Sequence, residues 1–159
     1  MSQKNLSLVR RAYELFDTDL EALLALVDPE IKWVSPHSAI EPGPRHGHRG
    51  VREAFAATAE AWQQPTHTPE SSVDVGDKVL ATITFRGHGR GSGMDAERTE
   101  FHVWTVRDGR VVEFDWFYDR DEAFGALDLP AAPNVSPPPA RSSGARTGCT
   151  PGRASRRLS

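Results

Sequence analysis

One histidine, His102, stands in a sequence context that could support acid–base chemistry. It alternates with Glu100 and Trp104 in a predicted strand, so the three side chains share one face. An imidazole with the ordinary pKa of about 6.5 can act as a general acid, a general base or a donor to an oxyanion. The other interpretation is a core histidine that bonds to a neighbouring side chain, and the sequence leaves both open.

Aromatic side chains on the predicted strands and on one predicted helix indicate a pocket around this histidine. Large rings suit a flat apolar or aromatic ligand that is held by stacking, although the same rings could instead fill the core. The hydroxyl of Tyr118 could orient a ligand carbonyl, so we predict His102 and Tyr118 as catalytic residues. The predicted pocket residues are Trp33, Trp62, Phe85, Trp104, Phe114 and Trp116.

Two other groups of polar residues have simpler structural interpretations. Asp119 ends a predicted strand, and with Glu122 three residues later it fits the N-cap of a final helix. The histidines of HGH at 46–48, with Glu53 beyond them, are similar to a metal-binding arrangement that needs histidines on a strand. Here they fall in a predicted Gly/Pro-rich loop, so we predict a solvated loop and no metal site.

Hydrophobic periodicity predicts the elements that would position these residues. Helical spacing occurs over 5–16, 19–27 and 51–62, and alternation predicts strands at 31–35, 71–75, 78–86, 98–107 and 110–118. Loops are predicted at 36–50 and between Pro65 and Pro69, and a short helix is predicted at 120–127. Three N-terminal helices packed on a strongly curved, mostly antiparallel sheet would make an α+β fold with a cone-shaped cavity.

Composition limits the class of protein. The chain has 159 residues, which suits one domain over residues 1–130 and a Pro-, Ser- and Arg-rich tail over 131–159 that we expect to be disordered. Residues 1–130 carry 22 acidic against 14 basic side chains, a balance that does not favour nucleic-acid binding. No apolar run approaches the roughly 18 residues of a membrane span, and we predict no signal peptide. With a single cysteine, Cys149, the sequence predicts a cytoplasmic protein.

Several phrases of the sequence resemble the nuclear-transport-factor-2-like superfamily, and more closely its SnoaL-like branch of polyketide cyclases and ketosteroid isomerase relatives. The resemblance covers residues 5–130 and implies a cone-shaped α+β barrel that forms homodimers through the outer face of its sheet. One fold hosts many functions, so the likeness specifies the fold better than a reaction. The matching phrases are DLEALL at 19–24 before Asp28-Pro29, Trp33, GVREAF at 50–55, and RDGRVV at 107–112 through Tyr118-Asp119.

The resemblance can be tested at the positions that carry the chemistry of the family. His102 falls where SnoaL-like cyclases have a pocket histidine and where ketosteroid isomerases have an oxyanion-hole acid. Trp116 stands where the cyclases have an acid/base aspartate and where epoxide hydrolases have one of two aspartates. The arginine and the other aspartate of those hydrolases would fall at Ile83 and Phe85, and the isomerase base near Ser35. These substitutions argue against the hydrolase and isomerase reactions and leave the cyclase only its histidine.

Two functions remain open from the sequence. The first is a cofactor-independent cyclase or isomerase in which His102 transfers a proton next to a carbonyl while Tyr118 holds the oxygen. The second is a non-catalytic module that binds a small apolar or aromatic ligand, which Trp116 in the aspartate position favours. Neither function requires a cofactor, a metal, a nucleic acid or a membrane.

Overall fold

The computed structural model describes residues 2–35 and 43–127. The predicted disordered tail at 131–159 lies outside the described residues. Helices and strands follow one another along the described chain as α1 Ser2–Phe16, α2 Leu20–Leu24, β1 Val27–Ser35, β2 Gly43–His46, α3 Gly47–Ala61, β3 Trp62–Val75, β4 Lys78–Gly89, β5 Asp95–Arg107, β6 Arg110–Phe117 and α4 Arg120–Ala126.

One six-stranded sheet organises this part of the chain, with the strand order β2-β1-β6-β5-β4-β3. Its neighbours pair antiparallel, except that β1 and β6 pair parallel. The predicted α+β class is confirmed, but the sheet of the predicted cone-shaped barrel does not close. The sheet stays open because β2 and β3 are edge strands that do not pair with each other. The predicted homodimer through the outer face of this sheet stays a prediction.

The β5–β6 hairpin follows the turn chemistry of its sequence. Arg107 pairs with Arg110, which leaves Asp108 and Gly109 as a two-residue turn with positive φ angles of 54° and 76°. Asp-Gly is a favoured sequence for such a turn, because both central residues must adopt left-handed backbone conformations. The Asp119 prediction is confirmed as well, since its carboxylate accepts the backbone N–H of Glu122 at 3.1 Å and caps α4.

The region from 62 to 75 differs from the prediction. Trp62 begins strand β3 rather than ending a helix, and Pro65 and Pro69 lie within the strand rather than bounding a loop. A proline can lie in an edge strand or at a bulge because its missing N–H breaks no ladder bond there. The β3–β4 register accordingly shifts between Gln63 and Thr66, and again between Pro69 and Ser71. The predicted loop at 36–50 also contains β2 and the start of α3.

Two apolar clusters lie on opposite faces of the sheet, as the two-residue period of strands requires. The inner face of β4, β5 and β6 packs with α1, α2 and α3, and Val9, Tyr13 and Phe16 follow the helical spacing of α1. The outer face packs with α4 through Leu80, Val103 and Ala123. No helix within residues 2–35 and 43–127 is long and apolar enough to cross a membrane.

Candidate functional site

A cavity of about 740 Å³ is lined by residues from the inner face of the sheet and from α1 and α3. This volume falls within the usual range for small-molecule sites. Six of the side chains predicted for the pocket or for catalysis line it, namely Trp33, Trp62, Phe85, Phe114, Trp116 and Tyr118. The rings therefore surround a space and do not fill it completely.

His102 and Trp104 do not line this cavity. Their exposed fractions are 1% and 0%, and the α1 rings of Tyr13 and Phe16 lie within 6.2 Å of both of them, measured between ring centroids. The two residues are on the predicted face of β5 but one layer deeper than the sequence suggested, because α1 packs directly over them. This placement does not favour the catalytic role predicted for His102 or the pocket role predicted for Trp104.

Both ring nitrogens of His102 bond within the protein. Nδ1 lies 2.7 Å from the Tyr13 hydroxyl, which also accepts the Nε1–H of Trp104 at 2.9 Å. Nε2 lies 3.1 Å from Oε1 of Glu100. Burial lowers the pKa of His102 and raises that of Tyr13 well above its usual value, which favours a neutral imidazole and a protonated phenol. Tyr13 therefore donates to Nδ1, and the Nε2–H of His102 donates to Glu100.

Glu100 links this buried network to the cavity wall. Burial raises the pKa of the Glu100 carboxyl, but the hydrogen bond from His102 and the neighbouring basic side chains, of which Arg98 has the smallest effect, outweigh burial and hold that pKa below its usual value. Nε and Nη2 of Arg98 each lie 2.9 Å from Oε2 of Glu100. Glu100 itself is 0% exposed although it belongs to the wall, whereas the Arg98 side chain is 31% exposed.

Three rings surround the Arg98 guanidinium. Its central carbon lies 4.3 Å from the Phe85 ring centroid, 4.9 Å from that of Tyr118 and 5.7 Å from that of Trp62. These distances are within the range of cation–π attraction. The rings and Glu100 together hold a planar cation in one orientation at the cavity wall.

His67 and Asp17 form a second histidine–carboxylate pair, and both line the cavity. The His67 ring Nδ1 lies 2.8 Å from Oδ1 of Asp17, and the His67 backbone N–H donates to Oδ2 at 2.6 Å. A carboxylate accepts hydrogen bonds, so in the neutral form of the His67 ring the proton is on Nδ1 and Nε2 has the lone pair. Within residues 2–35 and 43–127, Nε2 of His67 has no hydrogen-bond partner.

A β-bulge puts His67 on the cavity side of the sheet. Between Gln63, which pairs with His88, and Thr66, which pairs with Arg86, β3 contains one residue more than β4. Gln64 in this bulge has a φ of 51°, a conformation that is uncommon for a residue other than glycine. Without the extra residue, His67 would occupy the position opposite Thr84 and would face away from the cavity, because a one-residue shift reverses the faces of a strand.

Strand register then aligns three residues across the sheet. His67 on β3 pairs with Phe85 on β4, and Phe85 pairs with Arg98 on β5. The His67 and Phe85 ring centroids are 5.1 Å apart. Because neighbouring strands are about 4.8 Å apart, the backbones of His67 and Arg98 are separated by roughly 10 Å. A proton acceptor and a hydrogen-bond donor thus lie on either side of one aromatic ring.

Two further polar groups border the cavity at β6. Tyr118 is half-buried, and burial raises the pKa of its hydroxyl. The Trp116 indole lies next to it, with ring centroids 5.5 Å apart. In the described part of the chain, the buried Nε1–H of Trp116 has no hydrogen-bond partner. Both residues were predicted from the sequence, one for its hydroxyl and the other for its ring alone.

The HGH segment does not form a metal site with Glu53 in the described chain. His48 Nε2 donates to the carbonyl of Val27 at 2.9 Å, and the carboxylate of Glu53 pairs with Arg45 and Arg49. No group of three His, Cys, Asp or Glu side chains within residues 2–35 and 43–127 could share a metal ion.

The comparison with protein families agrees with this fold. Residues 9–114 match the model of the SnoaL-like domain. The match spans more than half of the sequence, so the chain belongs to the SnoaL-like domain family. A search of curated protein sequences finds no match.

Solved structures of the nuclear-transport-factor-2-like fold are also similar. IdmH of Streptomyces antibioticus, a candidate polyketide cyclase, shares 28% identity at a TM-score of 0.62, over 79% of this chain and 99% of that one. An NTF2-like protein of unknown function from Burkholderia pseudomallei shares 26% sequence identity at a TM-score of 0.68, over 81% of this chain and 100% of that one. TerC, crystallised with polyporic acid, is similar in fold. It shares 24% sequence identity at a TM-score of 0.66, over 79% of this chain and 99% of that one.

Proposed function

We propose that this SnoaL-like chain is a cofactor-independent enzyme that moves a proton at a carbon next to a carbonyl, in a flat and largely apolar substrate. The observation that carries the proposal is the His67–Asp17 pair in the cavity wall. Asp17 holds the ring proton on Nδ1 and leaves the Nε2 lone pair for a substrate. Similarity to IdmH, a candidate polyketide cyclase, is consistent with the same class of reaction.

The proposed step needs one base and one oxygen-binding group. Nε2 of His67 takes a proton from the carbon, the C–H electron pair moves into a new C=C bond, and the carbonyl oxygen becomes an enolate. Return of the proton from the His67 imidazolium to another carbon of the conjugated enolate completes an isomerisation. In a cyclisation the enolate carbon forms a C–C bond to a second carbonyl, whose π electrons become an alkoxide, and this alkoxide takes the proton from the imidazolium. The role predicted for His102 passes to His67, while His102 and Glu100 hold the wall of the cavity.

The test is the exchange of α-protons of 2-tetralone, a fused aromatic ketone, for deuterium in D₂O, followed by proton NMR. The wild-type chain should accelerate the exchange, and His67→Asn should lower the rate by roughly 10²–10⁴-fold. The amide N–H of asparagine can still donate to Asp17, so this variant should keep the fold. His88 forms a similar 2.8 Å pair with Asp95 on the exposed surface, and His88→Asn is the matched control. Exchange that survives in His67→Asn, or falls equally in His88→Asn, would contradict the proposal.

A non-catalytic binding module is the second candidate, and the aromatic lining with Trp116 in place of the aspartate of the cyclases favours it. Stacking between rings would then hold a flat ligand with no proton transfer. The two candidates separate in one experiment. If the wild-type chain binds 2-tetralone but leaves its exchange rate at that of buffer, the binding module is the better description.

A further inference from the structure

We propose that Arg98, Trp116 and Tyr118 form an oxyanion subsite, which binds the negatively charged oxygen of a planar aromatic ligand. The subsite deepens the proposed function and rests on it, because an enolate carries such an oxygen next to the carbon that His67 would deprotonate. The ligands expected at this subsite are fused-ring compounds with an enolate or carboxylate oxygen.

Arg98 supplies the charge of this subsite. Its Nε and Nη2 atoms both bind the same oxygen of Glu100, an arrangement that fixes the plane of the guanidinium. Among the residues that the structure describes, Nη1 has no hydrogen-bond partner, so its two N–H groups remain for a ligand. Two other arginines of the described chain line the cavity, and they pair with exposed carboxylates, Arg45 with Glu53 and Arg52 with Glu21.

Trp116 supplies a second donor. A buried N–H without an acceptor costs roughly 1–3 kcal/mol, and a ligand oxygen would remove that cost. Within the described chain, the Trp116 Nε1–H is such a group. The Tyr118 ring connects the two donors, because it lies 5.5 Å from the Trp116 ring and 4.9 Å from the guanidinium carbon.

Each acidic group that the structure describes in the cavity wall accepts a hydrogen bond from within the protein. Glu100 accepts from Arg98 and His102, and Asp17 accepts from His67. Asp19 accepts the backbone N–H of Ala22 at the start of α2. The Arg98 guanidinium carbon and the His67 ring lie 4.3 Å and 5.1 Å from the Phe85 ring centroid, so one flat ligand along this wall could place its oxygen at Arg98 and its acidic carbon at His67.

The test compares 2-naphthoate with its neutral isostere 2-naphthamide, by fluorescence titration of the full-length chain. The carboxylate stands for the enolate oxygen, and we expect 2-naphthoate to bind the wild type about 10- to 100-fold more tightly. Arg98→Gln should abolish this preference, and Arg98→Lys should keep only part of it because the planar fork is lost. Trp116→Phe removes one N–H from a ring site and should weaken 2-naphthoate binding about 3- to 10-fold.

Arg86→Gln is the matched control, because it also removes one arginine charge. Arg86 lies on β4, pairs with Glu97 and does not line the cavity. The preference of this variant for 2-naphthoate should equal that of the wild type. Equal affinity of the wild type for the two probes, binding of neither, or an equal loss in Arg86→Gln would overturn the subsite. Trp116→Phe keeps the Arg98–Glu100 pair, so the subsite remains testable if Arg98→Gln does not fold.

The subsite and the proposed reaction can fail separately. Titration with 2-naphthoate measures binding without turnover, and His67→Asn should retain the preference for 2-naphthoate while losing 2-tetralone exchange. A wild-type chain that exchanges 2-tetralone but does not distinguish the two naphthalenes would overturn only the subsite. A wild-type chain that prefers 2-naphthoate but does not exchange 2-tetralone would overturn only the proposed enzyme activity.

Discussion

His67 and His102 are two imidazoles whose ring centroids lie 6.2 Å apart, and each has a carboxylate partner. The partner of His67 is Asp17 at 2.8 Å, and the partner of His102 is Glu100 at 3.1 Å. The difference is the other ring nitrogen. In His102 that nitrogen, Nδ1, accepts a hydrogen bond from the Tyr13 hydroxyl. In His67 that nitrogen, Nε2, has no hydrogen-bond partner among the described residues.

This contrast shows that a histidine–carboxylate pair does not define an active site by itself. General base catalysis requires a nitrogen lone pair that a substrate can reach. The layer of α1 over β5 removes that access at His102, while the bulge in β3 creates it at His67. His102 contributes to the site indirectly, because it fixes Glu100 and thereby Arg98.

The largest effect that would separate the two histidines is on stability. His102→Ala should lower the free energy of unfolding by roughly 3–5 kcal/mol, because it leaves a cavity and removes a hydrogen-bond partner from both Glu100 and Tyr13. Urea denaturation followed by circular dichroism measures this change. Exchange of 2-tetralone per folded molecule should stay within about tenfold of the wild type, since the base at His67 is intact.

Tyr13→Phe is the milder form of the same experiment. It removes one hydroxyl, leaves Nδ1 of His102 and Nε1 of Trp104 without that partner, and should cost about 1–3 kcal/mol. If either variant instead keeps full stability and loses exchange by more than 10²-fold, the catalytic role predicted for His102 from the sequence would be restored.

A smaller effect tests how Asp17 positions His67. In Asp17→Asn the amide can present its N–H to Nδ1, which favours the ring tautomer with the proton on Nε2 and removes the base. We expect kcat for 2-tetralone exchange to fall by roughly 10²-fold with KM nearly unchanged. Asp95→Asn at the exposed His88 pair is the control and should have no effect. A rise in KM with kcat unchanged would mean that Asp17 only shapes the cavity.

Alternation predicts the inward face of β5 correctly because it is a local pattern. Glu100, His102 and Trp104 recur every second residue, and Arg98 continues the same pattern two positions earlier, so it could have been included. How deeply each residue of that face is covered depends on the packing of α1, which no local pattern encodes.

The sequence pattern does not predict the His67–Asp17 pair, for a different reason. Its members are 50 positions apart, one directly after α1 and the other on an edge strand. Pro65 and Pro69 gave the strand the sequence pattern of a loop, and the bulge that turns His67 inward depends on pairing with β4. Only the combination of a histidine with nearby prolines could have indicated an irregular edge strand.

The smallest effect concerns Asp115 on the outer face of the sheet and tests whether pairing or burial sets the charge of a carboxylate. Glu100 is more buried but has donors, whereas Asp115 has no ion pair or hydrogen bond within residues 2–35 and 43–127. Burial and the neighbouring Glu113 raise the pKa of Asp115 from 3.8 to about 6. Since the folded chain then holds this proton more tightly than the unfolded chain, the contribution of Asp115 to stability falls as pH rises from 3.8 to 6.

Asp115→Asn removes that pH-dependent cost. The melting temperature of the variant relative to the wild type should therefore be higher at pH 7.5 than at pH 4, with the change centred below about pH 6. Differential scanning fluorimetry at a series of pH values measures it. A difference between the two proteins that stays constant with pH would mean that Asp115 keeps an ordinary pKa. In that case burial on this face would be too weak to perturb a carboxylate, and the donors around Glu100 would matter less than the comparison of the two histidines suggests.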